Sequence, residues 1–207
     1  MKRTCSYLML MCLVVMMGCE SSNTIPTEKD LKLVNTLLDM AEANNCHDLE
    51  RELSFYTDDA KFEIVGEGGF VIEGKEELRK LFARDALLNC RLTLTDFHIQ
   101  SKTVITHRGK EQHDLFAAMG LDAIYYDKIQ ETFRHGLIQE VRAELSQESI
   151  KALNNRGNTF HEWVTRNNNP DELRILEKIE KGEITPANKD KCLGLLRQWQ
   201  QAIKGSV

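Results

Sequence analysis

Residues 123–145 read AIYYDKIQETFRHGLIQEVRAEL, and this stretch decides the fold. Two runs rich in β-branched and aromatic side chains, 123–133 and Leu137–Leu145, flank His135-Gly136, a pair suited to a tight turn. That is a long hairpin. Working upstream, residues 91–100 and 103–107 read as two more strands. The segment 111–121 (EQHDLFAAMGL) is apolar enough to pack as a short helix or ordered loop. Further back, 61–65 (KFEIV) and 70–73 (FVIE) are short strands around the Gly66, Gly68 and Gly69 turn.

Helical spacing surrounds these strands. A first helix begins at Thr27, with Asp30 three residues on as a capping-box-like pair, and closes at Asn44-Asn45. Leu31, Val34, Leu38 and Ala41 mark its expected core face. A short helix fits 48–55, and a third fits 75–88 with Leu78, Leu81, Phe82 and Leu88 inward. From Ser146 onward the pattern stays helical. The first of these helices, 147–166, carries Ile150, Leu153, Phe160, Trp163 and Val164. Asn169 then caps a second, with Pro170 at its first position and Glu172 at the third. Thr185-Pro186 repeats that start signal for a last helix through Leu193, Leu195, Leu196 and Trp199. The order is α+β: N-terminal helices, an antiparallel sheet, and a helical extension over 146–207 expected to dock on the 27–145 unit.

The N-terminus points to export. Lys2 and Arg3 precede an apolar run from Tyr7 to Met17, then Gly18-Cys19 and the polar Glu20-Ser21-Ser22-Asn23. The run is too short to span a bilayer core of about 30 Å and fits a signal peptide over 1–18. V-M-M-G-C resembles the bacterial lipobox, which implies cleavage after Gly18 and lipid on Cys19, although Met17 is larger than the usual residue there. Residues 19–26 would form a short tether, and the protein would sit in the cell envelope, on the periplasmic or outer-membrane side in a Gram-negative source. An ordinary secretory signal is the alternative.

Charge and cysteine usage narrow the partners. With 27 basic and 32 acidic residues the chain is acidic, and no Lys/Arg run concentrates positive charge, so nucleic acid is not an expected partner. Of six cysteines, Cys46, Cys90 and Cys192 lie beyond the lipobox. Their odd number rules out a closed disulfide framework, and they read as small buried hydrophobes, with one bridge between two of them left open. No spacing fits a metal site, and no phosphate loop or nucleophile elbow is present, so no cofactor is expected.

Three phrases in order resemble the SnoaL-like branch of the nuclear transport factor 2-like superfamily: Phe55-Tyr56-Thr57-Asp58-Asp59-Ala60, Glu73-Gly74-Lys75-Glu76-Glu77-Leu78, and Phe133-Arg134-His135-Gly136-Leu137-Ile138. The resemblance covers 27–145. It implies a cone-shaped, cystatin-like roll, in which a curved sheet wraps around the N-terminal helices and leaves a pocket. Activity does not follow, because that superfamily holds isomerases, dehydratases, cyclases and binding domains.

Within the superfamily, ketosteroid isomerases move a proton with an aspartate base, while a tyrosine and a protonated acid stabilise the enolate. Laid on this chain, their pattern puts the base at Ile64, the tyrosine at Met40 and the acid near Ile129. All three are apolar. The implied pocket is therefore lined by Met40, Tyr56, Ile64 and Ile129 and mainly apolar, without that machinery. Other acid–base candidates are Asp96 and His98, which share a strand face and become solvent-facing if Phe97 and Ile99 point inward, and Glu131. Glu131 and Arg142 lie on paired strands, as a cross-strand ion pair or two surface charges. Asp58-Asp59 reads as a helix end and turn. The sequence favours a membrane-anchored domain that binds a small apolar or amphipathic ligand, or a protein partner, without catalysis. Its rivals are an acid–base enzyme of isomerase, dehydratase or cyclase type, and a structural or assembly lipoprotein using the 146–207 helices. A homodimer remains open.

Overall fold

A computed structural model describes residues 28–66, 69–167 and 169–204. The signal, Cys19, the tether and the Thr27 cap lie outside the described residues. In chain order the elements are α1 (Glu28–Asn45), α2 (Leu49–Ser54), β1 (Tyr56–Val65), β2 (Val71–Glu73), α3 (Lys75–Leu87), β3 (Arg91–Ser101), β4 (Val104–Gln112), α4 (Asp114–Ala118), β5 (Ile124–Arg134), β6 (Leu137–Leu145), α5 (Gln147–Asn167), α6 (Pro170–Glu180) and α7 (Lys189–Lys204). One six-stranded sheet runs β2-β1-β6-β5-β4-β3. The fold is α+β, as its sequence pattern implies. Not every strand pair is antiparallel: β1 lies parallel to β6.

The β5–β6 hairpin turns at His135 and Gly136, both at positive φ (55° and 84°). That matches the twist of the flanking strands and lets them join with only two residues between them. Bulges then bend the sheet. In β3 the pairing shifts between Thr95 and His98, with Asp96 at φ 56°. Leu92 and Leu94 pack inward before the shift, and Phe97 and Ile99 after it. In β5 the shift falls between Tyr126 and Lys128, so Ile124 and Tyr126 are buried on one side of it and Ile129, Glu131 and Phe133 on the other. Each extra residue increases the local twist and keeps the apolar face concave.

Helices α1 and α3 fill the concavity. The buried face of α1 is Leu33, Leu37, Met40, Ala41 and Asn44, so Ala41 faces the core as expected, with Val34 packed beside it, whereas Leu31 and Leu38 are 53% and 45% exposed. LKLVNTLLDMA carries two overlapping apolar stripes at helical spacing, and packing against β3 selects between them. Asp48 caps α2 by accepting from the Arg51 N–H at 3.2 Å. Strand β1 starts at Tyr56, five residues earlier than expected, so Asp58 and Asp59 sit on a strand and not in a turn. Both remain surface groups, ion-paired with Lys75 and Arg134.

A second buried cluster lies under the extension, and the extension does not build it alone. Phe160, Val164, Leu176, Ile184, Cys192, Leu193, Leu195, Leu196 and Trp199 pack with Leu88 and Ala118, and Leu87, Leu115 and Met119 join from α3 and α4. Polar pins fix this contact. Lys189 donates to the Leu87 carbonyl at 2.6 Å and pairs with Asp114 at 3.1 Å. Gln200 donates to the Met119 carbonyl at 2.6 Å. Asn169 caps α6 by accepting from the Asp171 N–H at 3.0 Å. Helix α7 begins a turn later than Thr185-Pro186 suggests, because the Asn188 side chain accepts the Thr185 N–H at 2.7 Å and holds 185–188 as a turn. Cys90 and Cys192 are buried, but Cys46 is exposed, and all three are free thiols. No helix among the described residues is long and apolar enough to cross a membrane.

Candidate functional site

The concave face of the sheet and helices α1–α3 enclose two adjoining chambers. The inner one, of about 80 Å³, is lined by Met40, Asn44, Glu52, Tyr56, His107 and Glu131 among others. The outer one, of about 300 Å³, reaches Ile64, Phe116, Leu153, Ile179 and Ile184, so the α6–α7 connection roofs it. Phe62, Leu81, Asp85, Glu111 and Tyr126 line both. The inner chamber alone has room for a few atoms or waters, while the outer one reaches the lower end of small-molecule sites. Gly109 sets their shape: a Cβ there would stand 2.6 Å from Ile129 Cδ1.

Met40, Tyr56 and Ile129 therefore stand at the inner chamber and Ile64 at the outer one. Asp96 and His98 do not. Both are exposed on the convex face, with Asp96 3.9 Å from Arg108, and the bulge turns Phe97 and Ile99 inward instead. Glu131 is the candidate that enters the cone. It is 2% exposed and opposes Val141, whereas Arg142 opposes Gln130. Glu131 and Arg142 are thus neither a cross-strand ion pair nor two surface charges, because adjacent strand positions face opposite sides and Glu131 takes the buried one. Arg142 instead pairs outside with Glu63 at 3.4 Å.

The partner of Glu131 is His107, a residue sequence reasoning assigned no role. Its Nε2 lies 3.2 Å from Glu131 Oε1, and its Nδ1 lies 3.1 Å from the Arg108 carbonyl oxygen. A carbonyl oxygen only accepts, so Nδ1 is the donor to Arg108 and Nε2 is the nitrogen turned to the Glu131 carboxyl. Glu131 Oε2 has no hydrogen-bond partner among the described residues. Ile129, Glu131 and Phe133 are buried together after the β5 bulge, and Ile105 and His107 are buried together on the neighbouring strand.

Three further polar groups surround the chambers. Asn44 donates to Glu52 Oε1 at 3.1 Å, while Asn44 Oδ1 has no partner among the described residues. Burial pushes the Glu52 carboxyl up to about 7, against the lowering effect of the Asn44 bond. Tyr126 donates to Glu111 Oε2 at 2.6 Å, and His113 Nε2 lies 3.5 Å from Glu111 Oε1. Burial and the nearby Asp85 raise Glu111. Burial raises Asp85 too, against its contact with Arg84 at 3.0 Å. His113 accepts the Phe116 N–H at 3.3 Å, and burial and Arg84 lower it to about 4, so it stays neutral. Burial holds the phenols of Tyr56 and Tyr126 well above their ordinary range. The expected apolar pocket thus has an acidic floor. Among the described residues no group of three or more His, Cys, Asp or Glu could hold a metal ion.

No protein-family model matches the chain, and no curated protein matches it. Solved structures match it in fold. SalBIII, an epoxide hydrolase/cyclase-like enzyme with a role in pyran ring formation in the polyether salinomycin, is 14% identical with a TM-score of 0.51, covering 58% of this chain and 95% of its own. A protein of unknown function with a cystatin-like fold from Methylobium petroleophilum is 15% identical with a TM-score of 0.48, over 56% of this chain and 77% of its own. An NTF2-like protein of unknown function from Cytophaga hutchinsonii is 11% identical with a TM-score of 0.45, over 62% and 98%. At such identities the likeness is one of fold. Over 58% of its length the protein shares the fold of SalBIII, and a shared fold leaves the chemistry to the residues that line the chambers.

Proposed function

We propose that the chain is an exported lipoprotein, held at a membrane through Cys19, whose cone binds a small amphipathic ligand. The observation that carries the pocket reading is the pair of adjoining chambers: the inner one has Glu52 and Glu131 among apolar and aromatic walls, and the outer one sets Ile64, Phe116, Leu153 and Ile184 beside Arg84, Asp85, Glu111 and His113. The signal-like residues 1–18 support the location, and a short tether would hold the domain near the bilayer surface. Calorimetric titration of the full chain with n-alkyl alcohols of three to eight carbons tests the binding. One saturable site is expected, with affinity rising about fourfold per methylene (~0.8 kcal/mol each) until the outer chamber is full. Absence of saturable binding, or affinity indifferent to chain length, would overturn it.

One observation favours a second reading. Glu131 and His107 are in hydrogen-bond contact at 3.2 Å beside the inner chamber, and Glu131 keeps one oxygen without a partner among the described residues, an arrangement suited to an acid–base catalyst. A bound ligand with an acidic C–H or a leaving hydroxyl would meet a base there. Exchange of the α-hydrogens of a small bound ketone into D₂O, lost in Glu131→Gln, would establish it. No exchange above the buffer rate would leave Glu131 as a binding group. The assembly reading lacks an exposed tryptophan patch: Trp199 is fully buried and Trp163 half-buried.

A further inference from the structure

The side-chain oxygens without partners at the inner chamber are of one kind. Glu131 Oε2 and Asn44 Oδ1 are both acceptors without a donor, on side chains that line the same space. Glu131 is 3% exposed by its side chain and Asn44 4% exposed as a residue. A buried acceptor left unpaired costs roughly 1–3 kcal/mol, so both call for an N–H or O–H brought by a ligand. We infer that this ligand is a small primary amine carried as its ammonium ion, seated among Asn44, Glu52, Tyr56 and Glu131, with its apolar tail in the outer chamber; the inference rests on the pocket reading above.

Three features separate an ammonium from a neutral hydroxyl. The first is charge: Glu52, Asp85, Glu111 and Glu131 line the inner chamber, and with Arg84 paired to Asp85 and His107 to Glu131, Glu52 and Glu111 are left with no Lys or Arg ion pair among the described residues. Lys110 pairs in register with Thr93 and Tyr125, both exposed, so its side chain lies on the outer face. The second is the donor count. An ammonium supplies three N–H groups, enough for both free oxygens and a further carboxylate, whereas a hydroxyl supplies one. The third is the wall. Tyr56 and Phe82, with ring centroids 5.3 Å apart, join Phe62 and Tyr126 in giving the cation aromatic faces. The raised Glu52 carboxyl agrees with this arrangement, since an arriving cation would return it to its charged form.

The test compares hexylammonium with hexan-1-ol on the full chain by calorimetry at pH 7.5. Hexylammonium should bind at least tenfold more tightly, and Glu131→Gln should abolish that preference, bringing the affinities of the two probes to within about twofold of each other. Equal affinity for the two probes would overturn the ammonium assignment and leave the pocket standing. A preference that survives in Glu131→Gln would overturn its placement at this site. Binding of neither probe would overturn the inference together with the pocket reading. If Glu131→Gln fails to fold, Glu52→Gln takes its place, because glutamine keeps the acceptor for Asn44 and removes only the charge.

Discussion

Replacing Glu52 with glutamine should stabilise the free protein, and the gain should depend on pH. Glu52 is 3% exposed, and its carboxyl moves from an ordinary 4.5 to about 7 in the folded chain. Below 4.5 both folded and unfolded forms are protonated and the group costs nothing. Between 4.5 and 7 the folded form holds a proton that the unfolded form has lost, so stability falls as pH rises; above 7 the whole penalty is present. At about 1.4 kcal/mol for each tenfold change in proton affinity, the penalty is about 3 kcal/mol. Glutamine resembles the protonated acid and still accepts from Asn44. Urea unfolding of the wild type and Glu52→Gln should therefore agree at pH 4.5 and diverge by about 3 kcal/mol at pH 8, with equal slopes. Equal midpoints at pH 8, or a less stable variant there, would refute the buried-acid argument.

Other consequences are simpler to read. Gly109→Ala should cost at most about 1 kcal/mol in the same assay, because its methyl meets Ile129 Cδ1 at 2.6 Å, the end of a side chain that borders the inner chamber and can turn into it; a loss of several kcal/mol would mean that Ile129 is held fast. Ile64→Asp should lower the thermal midpoint by several degrees, since the side chain lines the outer chamber; an unchanged midpoint would place it in water. His98→Ala should change neither stability nor binding, being exposed on the convex face, and any loss of ligand affinity would contradict that. Cys19→Ser should release the protein from membranes or leave its signal uncleaved, as fractionation and mass spectrometry would show. Normal processing with unchanged fractionation would end the lipid-anchor proposal.

How much was legible before the structure depended on local repetition. The β5–β6 hairpin, the core face of α3 and the Asn169-Pro170 cap were readable because each declares itself within a few residues. The face of α1 was not, since two apolar stripes overlap in LKLVNTLLDMA and only the sheet decides between them. Glu131 shows the deeper limit. Strict alternation counted from the buried Tyr126 would send Glu131 outward, toward Arg142. The bulge after Tyr126 reverses that parity and delivers Glu131 to His107, a residue on another strand. Bulges follow from sheet curvature over many residues, and no short motif marks them. The absence of the isomerase pattern at Met40, Ile64 and Ile129 was readable; the acids that line the floor in its place were not, because they gather from α2, α3, β4 and β5.

The central claim is that the cone holds a ligand space and is not simply a packed core. Diffraction from crystals soaked in 4-bromobenzyl alcohol, collected at the bromine edge, tests it most directly. The account predicts one dominant anomalous peak in the outer chamber, between Phe116, Leu153 and Ile184, with the hydroxyl directed toward Tyr126 and the inner chamber. Anomalous peaks confined to the protein surface, with the side chains around Tyr126 and Ile129 closed on one another, would contradict it.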